Sequence, residues 1–412
     1  MKIFIITLVL LIAFIWMRQS ALNDSPNIRY VAQREVAPPV ERVRKDLEQR
    51  VAALPAPALE LAELASLVLS EAQRTQSEPL YREAESLAER SLVHLSHQNP
   101  ALLVLAKAAE SRHDFLRAQS LALRSLKERD NVSAHMVLTT AALAQGDLVS
   151  ALRHATLAVE AEPATATYLN RALVLTAAGR YFEGEFDFAR ALRLEAGATR
   201  AESARLRLLW GRHLLRKDEL AGAGDLIEQG LVAAPDSRLG LQLKAEWSLA
   251  KKDWVGARRA IEASMAQGPA PRDLMLMARI FREQGKLKEG EEYRVQAEAQ
   301  LRKELIEGRY GHRLELVQAL LLGDKGGSTM EALGLLNEES KIRQTAELYG
   351  MWADAHLAQK EWPAARRMGM RAIDAGGRYP SYFRRMESVE TALGDGQKAG
   401  LYAGLLGAPN RL

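Results

Sequence analysis

The sequence predicts an all-α chain, a solenoid of about ten stacked helix pairs behind an N-terminal apolar helix. Three observations predict it. Leu, Ala, Glu and Arg dominate while aromatics make up only 6% of the chain, a composition that favours helices. Small residues recur at one fixed register through most of the chain. Glycines and prolines fall at constant offsets from those small residues, where helices would have to end. At 412 residues the chain could hold two or three ordinary domains or one long array, and the register selects the array.

In chain order, residues 1–17 read as a membrane anchor or signal segment. Ile3 to Met17 is apolar behind Lys2. Fifteen helical residues reach roughly 22 Å, short of a ~30 Å hydrocarbon core, but Lys2 and Arg18 can snorkel. A cleavage site needs small residues at −3 and −1, and Arg18 or Gln19 stands at −3 when Ser20 or Ala21 stands at −1. The sequence therefore favours an uncleaved, single-pass anchor in the inner (cytoplasmic) membrane. A secreted protein after cleavage is the competing reading. Lys2 lies before the segment and Arg18, Arg29 and Arg34 after it, and the body leans to the periplasmic side with the cytoplasmic side still open.

Residues 18–57 read as a linker with a capping helix. Pro38-Pro39 ends the linker, and Val40, Val43, Leu47, Val51 and Leu54 then form one helical stripe. That stripe would cap the first repeat or, alternatively, form a short dimerising coiled coil. Pro55 and Pro57 stop it.

Residues 58–306 read as seven regular units and 307–412 as irregular units ending in a cap. The register is anchored on Ala84, Ala118, Ala151, Gly184, Ala223, Ala257, Gly290, Ala332, Ala365 and Ala399, at steps of 34, 33, 33, 39, 34, 33, 42, 33 and 34 residues. Seven residues past the anchor stand Ser91, Ser125, Ala158, Ala191, Gly230, Ser264, Ala297 and Ala372, and twelve before it Ala72, Ala106, Thr139, Ala172, Gly211, Ala245, Ala278 and Ala353. Small side chains there let two antiparallel helices approach closely. Three residues before the anchor, bulky groups such as Tyr81, Phe115, Tyr181, Trp254 and Leu287 should plug the groove under the turn. Gly146, Gly179 and Gly285 suit a left-handed helix end, and Pro163, Pro235 and Pro269 should stop second helices. Two units break the rule, with Leu320 and Glu339 around Ala332 and Glu387 and Leu406 around Ala399.

A helix pair every 34 residues or so resembles the tetratricopeptide repeat family, from about residue 60 to the C-terminus. The resemblance implies a right-handed superhelix whose first helices line a concave, partner-binding face. In outline the chain looks like bacterial membrane-anchored scaffolds of envelope assembly. The lipopolysaccharide-assembly scaffold of that class ends in a cysteine-ligated metal ribbon, and this chain has no cysteine. The family's carboxylate-clamp receptors use Lys and Asn on adjacent first helices; only Asn170 occupies such a position.

The sequence offers no catalytic residue, cofactor or metal site. The absence of cysteine excludes thiolate zinc and cysteine nucleophiles. "GDKGGST" at 323–329 lacks the order of a phosphate loop and reads as a connection. His94 and His97 are spaced i,i+3 for one helix face but lack a third ligand. Glu291-Glu292 and Glu338-Glu339 read as solvated surface, and Asn131-Val132-Ser133 matches a glycosylation sequon. A net charge of +4 without a basic cluster gives no case for nucleic acid.

First-helix positions that stacking does not consume define the candidate partner groove. Arg205, Arg212 and Arg216 share one face, and Arg272, Arg279 and Arg282 share another two units later. Gln242 and Glu246 lie between them, with Met136, Thr140, Leu169, Asn170 and Leu173 toward the N-terminal end. The expected partner is a protein segment carrying acidic residues, because guanidinium forks hold carboxylates bidentately. The predicted function is a tethered adaptor that binds partner proteins in cell-envelope assembly or export; an accessory subunit of an enzyme complex is the alternative. No feature argues for a homo-oligomer.

Overall fold

The computed structural model describes residues 40–75, 77–306, 313–323 and 326–406. The apolar run 3–17 lies outside them. No helix among the described residues is long and apolar enough to cross a membrane.

A leading helix, α1 (Val40–Ala53), is followed by helix pairs in strict succession. The first five pairs are α2 (Ala58–Thr75) with α3 (Glu78–His94), α4 (Ala101–Ser111) with α5 (Phe115–Glu128), α6 (Val132–Gln145) with α7 (Leu148–Ala161), α8 (Thr165–Ala177) with α9 (Tyr181–Arg193), and α10 (Arg200–Arg216) with α11 (Leu220–Ala233). The next five are α12 (Arg238–Ala250) with α13 (Trp254–Met265), α14 (Pro271–Glu283) with α15 (Leu287–Ile306), α16 (Arg313–Leu322) with α17 (Gly326–Glu339), α18 (Ala346–Ala358) with α19 (Trp362–Asp374), and α20 (Pro380–Ala392) with α21 (Gly396–Leu406). Within each pair the helices pack on one another, and each pair stacks on the next.

The small-residue register explains that packing. Ala72, Ala106, Ala172, Ala245, Ala278 and Ala353 on the first helices are fully buried, as are the anchors Ala84, Ala118, Ala151, Ala223, Ala257, Ala332 and Ala365. A Cβ on Gly184 would lie 2.5 Å from the Thr176 methyl, and one on Gly290 2.9 Å from the Ala278 carbonyl oxygen. Larger side chains would wedge the pairs apart. Tyr81, Phe115 and Tyr181 are buried as plugs, whereas Trp254 and Leu287 lie largely exposed at the same register.

Helix ends follow the same period. Five residues before the anchor the backbone is left-handed at His113, Gly146, Gly179, Asp218, Lys252, Gly285, Lys360 and Gly394. The next residue caps the second helix in several units: the carboxylates of Asp114, Asp147 and Asp253 accept from the amides of Arg117, Ser150 and Gly256. Pro163, Pro235 and Pro269 follow second helices that have already ended.

Where the register slips, polar groups take over. The 39-residue step carries a 3-10 turn, Glu195–Gly197. Arg207, fully buried, ties it down by donating to the Glu195 carboxylate at 2.8 Å. Around Ala332 the intruding Glu339 is not solvated as its sequence neighbourhood suggests. It is buried between Arg313, whose guanidinium donates at 3.1 Å, and Arg343. Stretch 323–329 is also only partly a connection, since α17 starts at Gly326 and Thr329 is buried. At the leading edge, Val43, Leu47 and Val51 of α1 pack on the first core, and Arg44 reaches Glu83 of α3.

The array does not stay open. It curves until the third to fifth pairs meet the last two. The amide of Gln344 donates to the carbonyl of Gln145 at 2.8 Å. Gly146 sits so close to that strand of chain that a Cβ would lie 2.5 Å from the Gln344 carbonyl oxygen, and Gly376 is pressed against the Ala177 carbonyl in the same way. Asp218 and Arg384 pair across the junction at 2.8 Å. Tyr181 of α9 belongs to the same buried cluster as Leu314, Tyr379 and Tyr382.

Candidate binding site

The closure creates one cavity of about 290 Å³. Its walls come mainly from first helices and adjoining turns, α6, α8 and α10 on one side and α16, α18 and α20 on the other, with Leu148 added from the start of α7. First helices therefore line the interior. Leu143, Leu148, Leu173, Leu209 and Leu314 give the cavity an apolar wall, while Arg212, Arg216, Arg343, Glu347, Tyr379 and Tyr382 give it a polar one.

One buried relay holds that polar wall in place. Glu185 of α9 accepts from Lys217 at 2.5 Å and from His213 Nε2 at 3.1 Å, and His213 Nδ1 lies 2.9 Å from the Tyr379 hydroxyl. A carboxylate only accepts, so Nε2 carries the proton and Nδ1 accepts from the tyrosine. Burial works against the Glu185 charge, but His213 and Lys217 outweigh it and hold the group at about 2. Burial pushes His213 down, keeping the imidazole neutral as this tautomer requires. Tyr181 stacks on Tyr379 with ring centroids 4.9 Å apart. Sequence reading saw none of this. His213 and Tyr379 stand 166 residues apart, and only the curvature of the whole array brings them together.

The predicted groove residues divide sharply. Arg205, Arg212 and Arg216 have no acid within ion-pair distance among the described residues. Other first-helix arginines do: Arg171 holds Asp187, Arg238 holds Asp273, Arg272 holds Glu246 at 2.7 Å, and Arg385 holds Asp354. Arg216 is exposed to solvent where it lines the cavity, with its guanidinium 4.1 Å from the centre of the Tyr379 ring. That is how a side chain projecting into a lumen behaves. Burial, and then the charges of Arg216 and Arg272, push Arg212 below its ordinary value, although an arginine remains cationic. Burial opposes the Arg216 charge too, but Tyr379, Tyr382 and Glu347 more than offset it and raise that group.

Several expectations need correcting. Gln242 and Asn170 are buried between neighbouring helices: Gln242 donates to Asp273 at 2.8 Å and Asn170 toward the Met136 carbonyl at 3.4 Å. Leu169 is in the core. Stacking consumes all three, so they are not offered to a partner. Arg279 bonds Glu283 on its own helix at 3.0 Å and is largely exposed, and the Arg282 side chain covers Gly290. Met136, Thr140 and Leu173 remain half-buried, and of these Leu173 lines the cavity.

The histidine pair also lies elsewhere. α3 ends at His94, so His97 does not share its face, and it faces Glu128 at 3.5 Å instead. The paired histidines are His135 and His154, with Nδ1 atoms 2.9 Å apart, and His135 Nε2 is 2.9 Å from Asp130. Burial, followed by the charges of His135 and Arg153, lowers His154 to about 4. No group of three or more His, Asp or Glu among the described residues could hold a metal ion. Asn131 of the sequon caps α6, accepting from Ala134 at 2.7 Å.

No family model matches the chain, and neither does any curated protein. Solved structures are similar to it at low sequence identity. A tetratricopeptide repeat protein from Parabacteroides merdae is 16% identical over 64% of this chain and 97% of its own, with a TM-score of 0.40. Yeast Tom70 is 13% identical over 90% of this chain and 89% of its own, with a TM-score of 0.43. YrrB, a tetratricopeptide protein with an unusual peptide-binding site, is 17% identical over 49% of this chain and 98% of its own, with a TM-score of 0.33.

Proposed function

We propose that this array of tetratricopeptide-like helix pairs is a protein-interaction scaffold that receives an acidic segment of a partner along its inner face. The observation that carries this reading is the row Arg205, Arg212 and Arg216 on one face of α10, without acids of its own, while neighbouring first-helix arginines are neutralised. Unpaired guanidinium forks on a concave surface suit carboxylates, and a curved stack offers the length to align a segment. Arg272, already held by Glu246, would join only by exchanging that partner.

Residues 3–17 supply the second part of the proposal. As a tether they would keep the array at the inner membrane, its body leaning to the periplasmic side, and raise the effective concentration of whatever it recruits in envelope assembly or export. The test is crosslinking in the native cell with the full chain and with Arg205→Ala/Arg212→Ala/Arg216→Ala. Helicity should stay unchanged while capture of acidic partners falls about tenfold or more. Equal capture by both chains would remove the groove assignment. Recovery of the full chain in a soluble fraction would remove the tether.

A further inference from the structure

We propose that the cavity at the closure is a binding site for a small monocarboxylate with an apolar body, held by Arg212 and Arg216 against Tyr379 and the leucine wall. This ligand class goes beyond the scaffold reading, because a pocket this small suits something that ends inside it rather than a segment that runs along the lumen.

The charge pattern sets the chemistry. Two guanidiniums enter the cavity with no acid in ion-pair contact, and Arg272 adds to the positive field that Arg212 feels. Glu347 is the one acidic side chain on the wall, and it lies close enough to be felt by both arginines without bonding either. The wall therefore keeps net positive charge, which suits a carboxylate. Arg343 is less available, because it pairs with Glu339, which it shares with Arg313.

Geometry sets orientation. Tyr379 fixes the Arg216 fork by lying under it at 4.1 Å, and its own hydroxyl is committed to His213. The relay from Glu185 through His213 thus makes Tyr379 a positioning residue for the arginine. The fork is held ready, which lowers the entropy lost on binding. Leu209 and Leu314 face the same space. A volume of about 290 Å³ sits at the low end for ligand pockets, so the body must be small. Because the walls belong to pairs three to five and eight to ten, a bound acid would touch both sides of the closure and stabilise it by mass action.

Calorimetric titration and thermal melting of the full chain with hexanoate, hexanamide and a tripeptide ending in leucine, free or amidated, test this. Hexanoate should bind and raise the melting temperature, and hexanamide should bind about tenfold more weakly or not at all, the least that loss of one charged hydrogen bond costs. Stronger binding of the free-acid tripeptide than of hexanoate would assign the same arginines to a chain terminus; the reverse order assigns them to a free acid, and either supports the site. Arg216→Gln should lose the preference for acid over amide, and Arg279→Gln, outside the cavity lining, should keep it. Equal binding of acid and amide by the unaltered chain overturns the proposal without any variant having to fold. Partner capture is read separately by crosslinking, so failure of this site leaves the scaffold reading standing.

Discussion

The turns at Gly146 and Gly285 occupy one register and have nearly the same backbone, with φ of 88° and 76°. Their surroundings differ completely. A Cβ at Gly285 would meet nothing within 4 Å, while one at Gly146 would strike the Gln344 carbonyl. The repeat needs a left-handed residue at both, yet only the first also needs empty space beside it. One repeat position therefore serves two purposes: reversing the chain in every unit, and admitting a distant segment where the array closes.

Substitution separates the two. Gly146→Ala adds backbone strain and a collision with a carbonyl that cannot step aside, and it should cost about 3 kcal/mol or more, with expansion seen by small-angle scattering. Gly285→Ala should cost only about 1 kcal/mol and leave the overall dimensions unchanged. Equal losses in chemical denaturation would mean that the closure contributes nothing at Gly146.

Acid should dissect the molecule in the same way, with a somewhat smaller effect. His154 is held at about 4 against an ordinary 6.5, so the unfolded chain binds the proton first and stability falls as pH drops from about 6.5 to 4. That loss amounts to at most about 3 kcal/mol. Glu185 at the closure is held at about 2, so its contribution is complete above about 4.5 and is lost only as pH falls toward 2. His213 at the closure, also pushed down by burial, loses stability in the same direction as acid is added, so the histidines titrate before Glu185 does. His154→Gln should shrink the upper of the two phases in a pH series of denaturation midpoints, leaving the His213 share of it, and keep the lower phase in place.

The smallest effect concerns open turns with a side chain. Lys252 stands at φ 60° where other units have glycine. Lys252→Gly exchanges left-handed strain for chain entropy and should gain about 0.5 kcal/mol in a urea midpoint.

This contrast also marks what could be read in the sequence. The small positions, the glycine turns and the proline stops were legible because each acts between residues of one or two adjacent helices, and helix period alone places them. Lys252, Lys360, Asp218 and His113 hid in the same turns, because the local helix-end hydrogen bonds hold a left-handed backbone there without a glycine to mark it. Of the site, the row Arg205, Arg212 and Arg216 was visible on one helix face. Arg343, Glu347, Tyr379 and Tyr382 were not, because their place in the cavity depends on curvature summed over six intervening pairs and on two irregular steps. Gln242 and Leu169 failed in the opposite direction: their spacing fits a groove, but a neighbouring first helix covers them.

The closure is the claim on which the cavity depends, and the absence of native cysteine makes it directly measurable. Spin labels placed at Asp218→Cys and Arg384→Cys, residues that pair across the junction at 2.8 Å, report the distance between its two sides. The account predicts a single narrow distribution at the short limit of the method. A broad distribution at long distance, as in an open superhelix, would contradict it.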